Sequence, residues 1–512
     1  MVRLEEVYEK VNKKAYPAFQ YFAIFVISCT TITNGGIPLF LTFLTSTKGW
    51  QCRTDKCNAS LSLCEQELGD DDWFSPVSPA TDKFLKNYKI SCGYEGYFSA
   101  ISSAYFGGFM VGILLGGKLY DLFGRKKCSV IGIFVFCFVV LLHAGSKTDF
   151  RVFAVAHTFT GLLNGVIGVI FIYQTELTVV KMRNFGSQIY NEMFSVGMLY
   201  GALLSAYIEN FAVICIALIA PALLLNLVIA IWLPESPMWL HLHNKHDEFQ
   251  KSLEYVAKFN GIKYTKDEKV EGLPVTKTTH TATSLFTYSR STKITTFIFL
   301  FTWLSASFCY WGLSFNVGDL IGDLYMNQIL ICLIDLINRP INYYGVKLTN
   351  RVTFLRACNS GMCISAIVCM IPYEKEIFPN FNLTKISALA GRMLADLYFS
   401  TVYLYTAEVL PTVVRASGLG MFSSCARLGS ILAPFVVVAN TYSPNINFSV
   451  ILFMSTACFV LYRWMPETRD KLLPGTMQEM KDLVEGRVRH ALEMRGDIVG
   501  LLDSDSEEET RF

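Results

Sequence analysis

An all-α membrane protein of twelve transmembrane helices, built as two pseudo-symmetric six-helix bundles, is the fold class the sequence predicts. Composition is the first reason. The 512 residues are 52% hydrophobic, 14% aromatic and only 17% charged, with mean hydropathy +0.38, against about 25% charged in a soluble domain. The second reason is twelve apolar stretches, each near the roughly 20 residues that cross a bilayer. The third is a repeat. Tyr405-Thr-Ala-Glu408-Val-Leu-Pro-Thr-Val-Val-Arg415 has an earlier copy, Tyr173-Gln-Thr-Glu176-Leu-Thr-Val-Val-Lys-Met-Arg183, with Gly186 and Gly418 three places on and every matched pair 232 residues apart. Such an offset reads as a duplicated half.

In chain order, residues 1–17 are polar and charged, and the first apolar run is too long for a signal-peptide core, so it is expected to be a retained first span. The first half (18–233) places spans at roughly Phe19–Leu44, Tyr97–Leu119, Ser129–Ala144, Phe153–Gln174, Ser187–Tyr207 and Phe211–Leu233. A polar linker, 234–293, opens with Pro234-Glu-Ser-Pro-Met-Trp-Leu240, which stops the sixth span, and contains Asp247–Asn260, which reads as an amphipathic helix on the membrane face. The second half (294–465) places spans at roughly Ile294–Phe315, Leu320–Gly345, Phe354–Ile371, Ser387–Thr406, Gly418–Val438 and Phe448–Trp464, and a tail, 466–512, follows.

Short-loop charge sets the orientation. Lys118, Arg125, Lys126, Lys127, Lys181, Arg183, Lys347, Arg351, Arg356 and Arg415 fall on one side, against Lys147, Arg151, Lys375 and Lys385 on the other. The first side, and with it both termini, is expected to be cytoplasmic. The long loop at 46–95 is then outside. It holds Cys52, Cys57, Cys64 and Cys92, four disulfide candidates whose pairing stays open, and the glycosylation sequon Asn58-Ala-Ser60. Sequons at Asn382 and Asn447 lie very close to the membrane. The other eleven cysteines lie in or beside apolar segments, as small hydrophobes do. A net charge of +2 implies no nucleic-acid partner.

The loop after the second span reads Gly117-Lys-Leu119-Tyr-Asp121-Leu-Phe-Gly124-Arg125-Lys-Lys127. Gly117 is expected to let helices approach, Asp121 to meet a helix N-terminus, Gly124 to make a tight turn, and Arg125 to offer a bidentate fork. Each copy of the repeat adds a carboxylate and a guanidinium at the same membrane face. Glu176 with Arg183, and Glu408 with Arg415, can pair with each other or with a neighbouring loop, in one of two rocking states.

These motifs resemble the loop signature of the major facilitator superfamily, and more narrowly its organic anion/cation/zwitterion transporter family. The narrower likeness rests on the outer loop with cysteines and a sequon, Pro234 to Leu240, and Tyr310-Trp-Gly-Leu-Ser-Phe-Asn316. Ala407 to Arg415, Gly429-Ser-Ile-Leu-Ala-Pro434 and Pro466-Glu-Thr add to it. Sugar porters share several of these but usually carry Gln-Gln in the seventh span, where this chain has aromatics and Asn. Three departures bear on gating: Met238 and His157, where relatives often have Arg, and Asn350-Arg-Val-Thr353, the second-half loop without its Asp and Gly.

Ionisable residues inside spans are functional candidates, because a charge at mid-bilayer costs about 2.5–3.5 kcal/mol on insertion scales. Arg427 stands alone in the eleventh span. Asp335 and Arg339 lie one helical turn apart in the eighth, and Arg392 and Asp396 likewise in the tenth, so either pair can neutralise itself locally. The resemblance implies basic residues at the Arg427 and Arg339 positions in anion-selective members, and an acid at the former in cation-selective ones. It also implies that Tyr310, Trp311, Tyr343, Tyr344 and Tyr200 line a central cavity, where aromatics can stack on a flat substrate. His143 and His157 read as packing residues.

What the resemblance implies is a secondary transporter of small organic anions in the plasma membrane, with a counter-anion or coupling ion and no cofactor. An organic cation or carnitine-like zwitterion, or a transport-dead receptor on the same fold, are the alternatives. No nucleotide-binding Gly-rich Lys-Ser/Thr loop or catalytic constellation is present, so neither ATP-driven pumping nor an enzyme is expected. The tail ends Thr510-Arg-Phe512, a pattern that C-terminus-binding scaffold domains capture. It also carries Asp497-Ile-Val-Gly-Leu501-Leu502, an acidic dileucine-like signal that leaves an endosomal membrane open.

Overall fold

The computed structural model describes residues 18–37, 51–52, 73–74, 95–145, 150–208, 210–263, 283–317, 324–371, 376–378, 381–411, 413–439, 443, 445–469, 471 and 474–486. The first half comprises α1 (Ala18–Cys29), α2 (Thr31–Gly36), α3 (Glu95–Phe123), α4 (Arg125–Gly145), α5 (Phe150–Gly168), α6 (Ile170–Glu176), α7 (Val180–Tyr207) and α8 (Phe211–Trp232). The linker holds α9 (Pro237–Leu242), α10 (His246–Phe259) and α11 (Ser284–Thr287). The second half comprises α12 (Arg290–Val317), α13 (Leu324–Leu348), α14 (Arg351–Met370), α15 (Leu383–Val409), α16 (Arg415–Ala439) and α17 (Ile446–Leu461), with α18 (Met477–Val484) in the tail. Strands Gln51–Cys52 and Trp73–Phe74 pair antiparallel in the long loop, and Glu376–Phe378 pairs with Phe381–Asn382. Asn58, Cys57, Cys64, Cys92 and the tail signals lie outside the described residues, and Cys52 is described only as part of its strand.

Helices dominate because a bilayer offers backbone groups no hydrogen-bond partner, so each spanning segment must satisfy its own. Among the described residues eight helices are long and apolar enough to cross a membrane. Three long helices fall outside that set, α7, α13 and α15, and each carries ionisable residues within its span: Glu192, Asp335 with Arg339, and Arg392 with Asp396. Polarity that lowers their hydropathy is polarity turned into the protein.

Both halves pack alike. In the first, α3 lies on α5, α4 on α8, and α2 on α7. In the second, α13 lies on α15, α14 on α17, and α12 on α16. The halves then meet through two related pairs, α3 with α16 and α7 with α13. The chemistry of one equivalent pair differs completely. The α3–α5 contact is a glycine seam: a Cβ on Gly112 would strike the Leu162 carbonyl, one on Gly161 the Tyr105 carbonyl, and one on Gly165 the Phe109 carbonyl. Small residues let backbones touch, which supplies van der Waals contact where the hydrophobic effect is absent. Its counterpart, α13–α15, is held instead by charged and polar side chains, described below. Gly117, by contrast, would meet nothing within 4 Å. The close approach expected of it belongs to Gly112 and to Gly108 and Gly116, one turn to either side. Gly112→Val is accordingly expected to abolish surface expression, read by surface biotinylation, while Gly117→Ala is expected to leave it unchanged.

The linker helix α10 does not lay its apolar face on lipid. Phe249, Leu253, Val256 and Ala257 are buried. Phe259 packs edge-on against Phe19 and stacks on Phe22, and the Asn260 side chain accepts from the Phe19 amide at 3.0 Å. It braces the first turn of α1. In the second half α18 touches α12 in a comparable place, with Ser291 donating to Glu485 at 2.9 Å. Asn447 is fully buried and donates to the Gly312 carbonyl at 3.3 Å, so its sequon is inaccessible in this fold.

Candidate functional site

Two clusters at the linker end of the bundles mirror one another. In the first half Gly124, at φ +100, turns the chain into α4. Arg125 then donates from Nε and Nη2 to Glu176 at 2.9 Å each, and from Nη1 to the Tyr120 carbonyl at 2.8 Å. In the second half Arg351 reaches Glu408 through Nε and Nη2 at 3.2 Å each, and the Val346 carbonyl at 3.1 Å. Glu235 accepts from the first two amides of α4, and Glu467 from the first two of α14, where a carboxylate meets the positive helix end. Ser236 donates to Glu176 and Thr468 to Glu408, both at 2.5 Å. The Tyr173 hydroxyl donates to the Pro234 carbonyl, and the Tyr405 hydroxyl to that of Pro466.

The repeated carboxylates therefore pair with a neighbouring loop and not with the arginine of their own repeat. Arg183 donates to the Thr175 carbonyl at 3.2 Å, and Arg415 to that of Leu410 at 3.1 Å. Asp121 pairs with Arg125 at 2.9 Å but is 74% exposed, so it adds little. The second loop keeps its whole network without the Asp and Gly it lacks. Glu235 and Glu467, Ser236 and Thr468 were missed as partners, although each pair repeats the 232-residue offset. Glu176→Ala is expected to lower transport several-fold at reduced surface level, because Arg125, whose side chain is 8% exposed, then lacks its main counter-charge; uptake normalised to surface protein checks it.

The midplane carries the second set of charges. The local pairs expected in α13 and α15 do not form; the helices exchange partners. Arg392 donates to Asp335 at 3.1 Å, both side chains being 0% exposed. Arg392 also donates to Ser314 Oγ at 2.8 Å and lies 3.8 Å above the Tyr310 ring. Arg339 sits 3.6 Å from Asp396 and donates to Ser400 Oγ at 2.8 Å, while Asn338 holds the other Asp396 oxygen at 3.0 Å. Arg339 also faces Glu192 of α7, in the other half, at 3.2 Å. Sequence reasoning passed over Glu192; an acid twelve residues into a spanning helix was the available signal.

Arg427 differs from both. Its guanidinium lies 4.3 Å above the Phe109 ring, with Tyr105, Tyr190 and Tyr403 as electrostatic neighbours. Its Nε is buried without a hydrogen-bond partner, and among the described residues no carboxylate lies within ion-pair distance. The remaining candidates separate. Trp311 packs on Phe106 across the halves at 4.8 Å. The Tyr200 hydroxyl donates to the Ala217 carbonyl at 2.8 Å, within its own half. Tyr343 and Tyr344 lie against each other near the linker end of α13, 56% and 58% exposed. His143 and His157 are buried side by side, with ring centroids 5.3 Å apart.

Comparison with known proteins follows the same lines. The model of the family described as "Sugar (and other) transporter" matches residues 75–478. Solute carrier family 22 member 15-like of Xenopus laevis is 28% identical over 394 residues, which cover 76% of this chain and 80% of that protein. Solute carrier family 22 member 6 of Pseudopleuronectes americanus is 25% identical over 448 residues (85% and 77%). The human organic cation/carnitine transporter 2 is 24% identical over 434 (83% and 76%). Among solved structures, the inward-open xylose transporter XylE from E. coli superimposes with a TM-score of 0.62 at 13% identity, over 92% of this chain and 100% of that one.

Proposed function

Because the chain belongs to the sugar (and other) transporter family, as a major facilitator transporter of the solute carrier 22 type, we propose that it carries a small organic anion across the plasma membrane by alternating access. The observation that carries this reading is Arg427, a buried guanidinium with no acid beside it among the described residues. An unpaired charge in a low-dielectric site is costly, and a substrate carboxylate is the group that would offset it. Arg suits that task because its fork binds both carboxylate oxygens at once. Phe109, Tyr105, Tyr190 and Tyr403 around it would receive the flat part of the substrate.

Toward the end away from the linker the two halves touch through Ser103 and Ile431 at 2.7 Å and through Phe106 with Trp311 and Phe315, and midway along the helices through Arg339 and Glu192 at 3.2 Å. With the linker in the cytoplasm, those outer contacts fit a protein closed on its outer side. Rocking would then part these contacts and bring the two Arg–Glu clusters of the linker end together. Uptake of a labelled aromatic carboxylate, and of a labelled quaternary ammonium, in cells expressing the protein tests the reading. Anion uptake that depends on Arg427 supports it, and cation uptake indifferent to Arg427 overturns it.

A further inference from the structure

Of the six midplane charges, Arg392 and Asp335 neutralise one another within the second half. The remaining four are distributed unevenly. Among the described residues Arg427 has no acid within ion-pair distance, whereas Arg339 has two, Asp396 at 3.6 Å and Glu192 at 3.2 Å. Asp396 belongs to the same half as Arg339 and is fixed by Asn338. That pair is neutral by itself. Glu192 comes from α7 of the opposite half, its side chain is 16% exposed, and neither of its carboxylate oxygens has a hydrogen-bond partner. It is the surplus charge.

The two uncompensated charges are placed by one helix. Asp396 and Ser400 of α15 hold Arg339, and Tyr403, on the same face one turn on, neighbours Arg427. Seven residues along a helix span roughly 10 Å, so the α15 positions beside Arg339 and beside Arg427 are about one small organic molecule apart. A substrate whose carboxylate is on Arg427 extends its far end toward Glu192.

We propose that Glu192 is a specificity-determining residue: its uncompensated carboxylate beside Arg339 restricts the site to substrates with a single carboxylate and rejects those with a second one at the far end. This rests on the reading of Arg427 as the anion anchor. A like charge brought near Glu192 is repelled in a partly desolvated site, where Coulomb terms are strong. It also gives Arg339 a different part from Arg427, because Arg339 already faces two acids.

The test uses two matched competitors of labelled benzoate uptake, 4-(2-carboxyethyl)benzoate and its carboxamide, 4-(2-carbamoylethyl)benzoate. They differ in one charge and hardly in shape. Wild type is expected to prefer the carboxamide by about tenfold, on the scale of one close charge pair. Glu192→Gln is expected to bring the ratio near one, and Glu192→Asp, which keeps the charge, to retain the preference. Equal affinity of wild type for the two compounds overturns the proposal without any variant, which covers the case in which Glu192→Gln fails to reach the surface. A ratio that Glu192→Gln leaves unmoved overturns it as well. If either result accompanies benzoate uptake that Arg427→Ala abolishes, the anion-transporter reading stands and only the role of Glu192 falls. Binding of neither compound by wild type overturns both.

Discussion

Arg427→Ala is expected to cut uptake of an aromatic carboxylate roughly 10- to 100-fold while the protein reaches the surface at its normal level. The size follows from a hydrogen bond to a charged group, about 1.5–3 kcal/mol, at 1.4 kcal/mol per tenfold. The accompanying stability effect has the opposite sign. Because Nε of Arg427 is buried without a hydrogen-bond partner and no acid among the described residues lies within ion-pair distance, removing the guanidinium relieves a cost, and the melting temperature of the purified protein should stay level or rise. Sites kept for function are commonly strained in this way. A structural arginine would behave differently, since its loss would lower both surface yield and melting temperature. Arg427→Lys keeps a positive charge but not the fork, and should retain only part of the uptake.

Asp335→Leu is expected to be the most destabilising change at the midplane, at about 3–5 kcal/mol, because it strands a fully buried Arg392. A large fall in melting temperature and surface yield is the readout. Cross-pairing makes the rescue specific. Adding Arg392→Leu removes the stranded charge and should restore most of the stability, since a buried ion pair replaced by apolar groups of similar size is often neutral. Adding Arg339→Leu should not, because Arg339 faces Asp396 and Glu192 and not Asp335. Had the pairs formed locally along each helix, these two rescues would exchange places.

The partner exchange shows where sequence reasoning reaches its limit. Residues four apart share a helix face, so Asp335 with Arg339, and Arg392 with Asp396, were legible as clusters. Side-chain partners across two packed helices are set by rotation and axial offset, and neither leaves a mark in spacing along one chain. Gly117 failed for the same reason. A glycine in a spanning helix reads as a contact, but whether a backbone faces it depends on the neighbour, and here Gly112 has one while Gly117 does not. The amphipathic face of α10 was correctly seen as apolar; what covers it, the start of α1 and not lipid, was a tertiary matter.

By itself the sequence determined the all-helical membrane class, the duplication, the superfamily signature and the residues that bear charge inside the bilayer. The signature rests on resemblance to a family motif, and the rest on composition or on offsets along the chain; hydropathy and repetition are local properties. Tertiary structure alone decided that Glu176 and Glu408 bind the loop arginines Arg125 and Arg351, that one helix pair is sealed by glycine and its equivalent by ion pairs, and that among the described residues Arg427 is left without an acid while Arg339 has two. Those outcomes depend on which faces meet in space, and in low dielectric the energy of a charge is set by the groups within a few ångströms of it, most of which come from elsewhere in the chain.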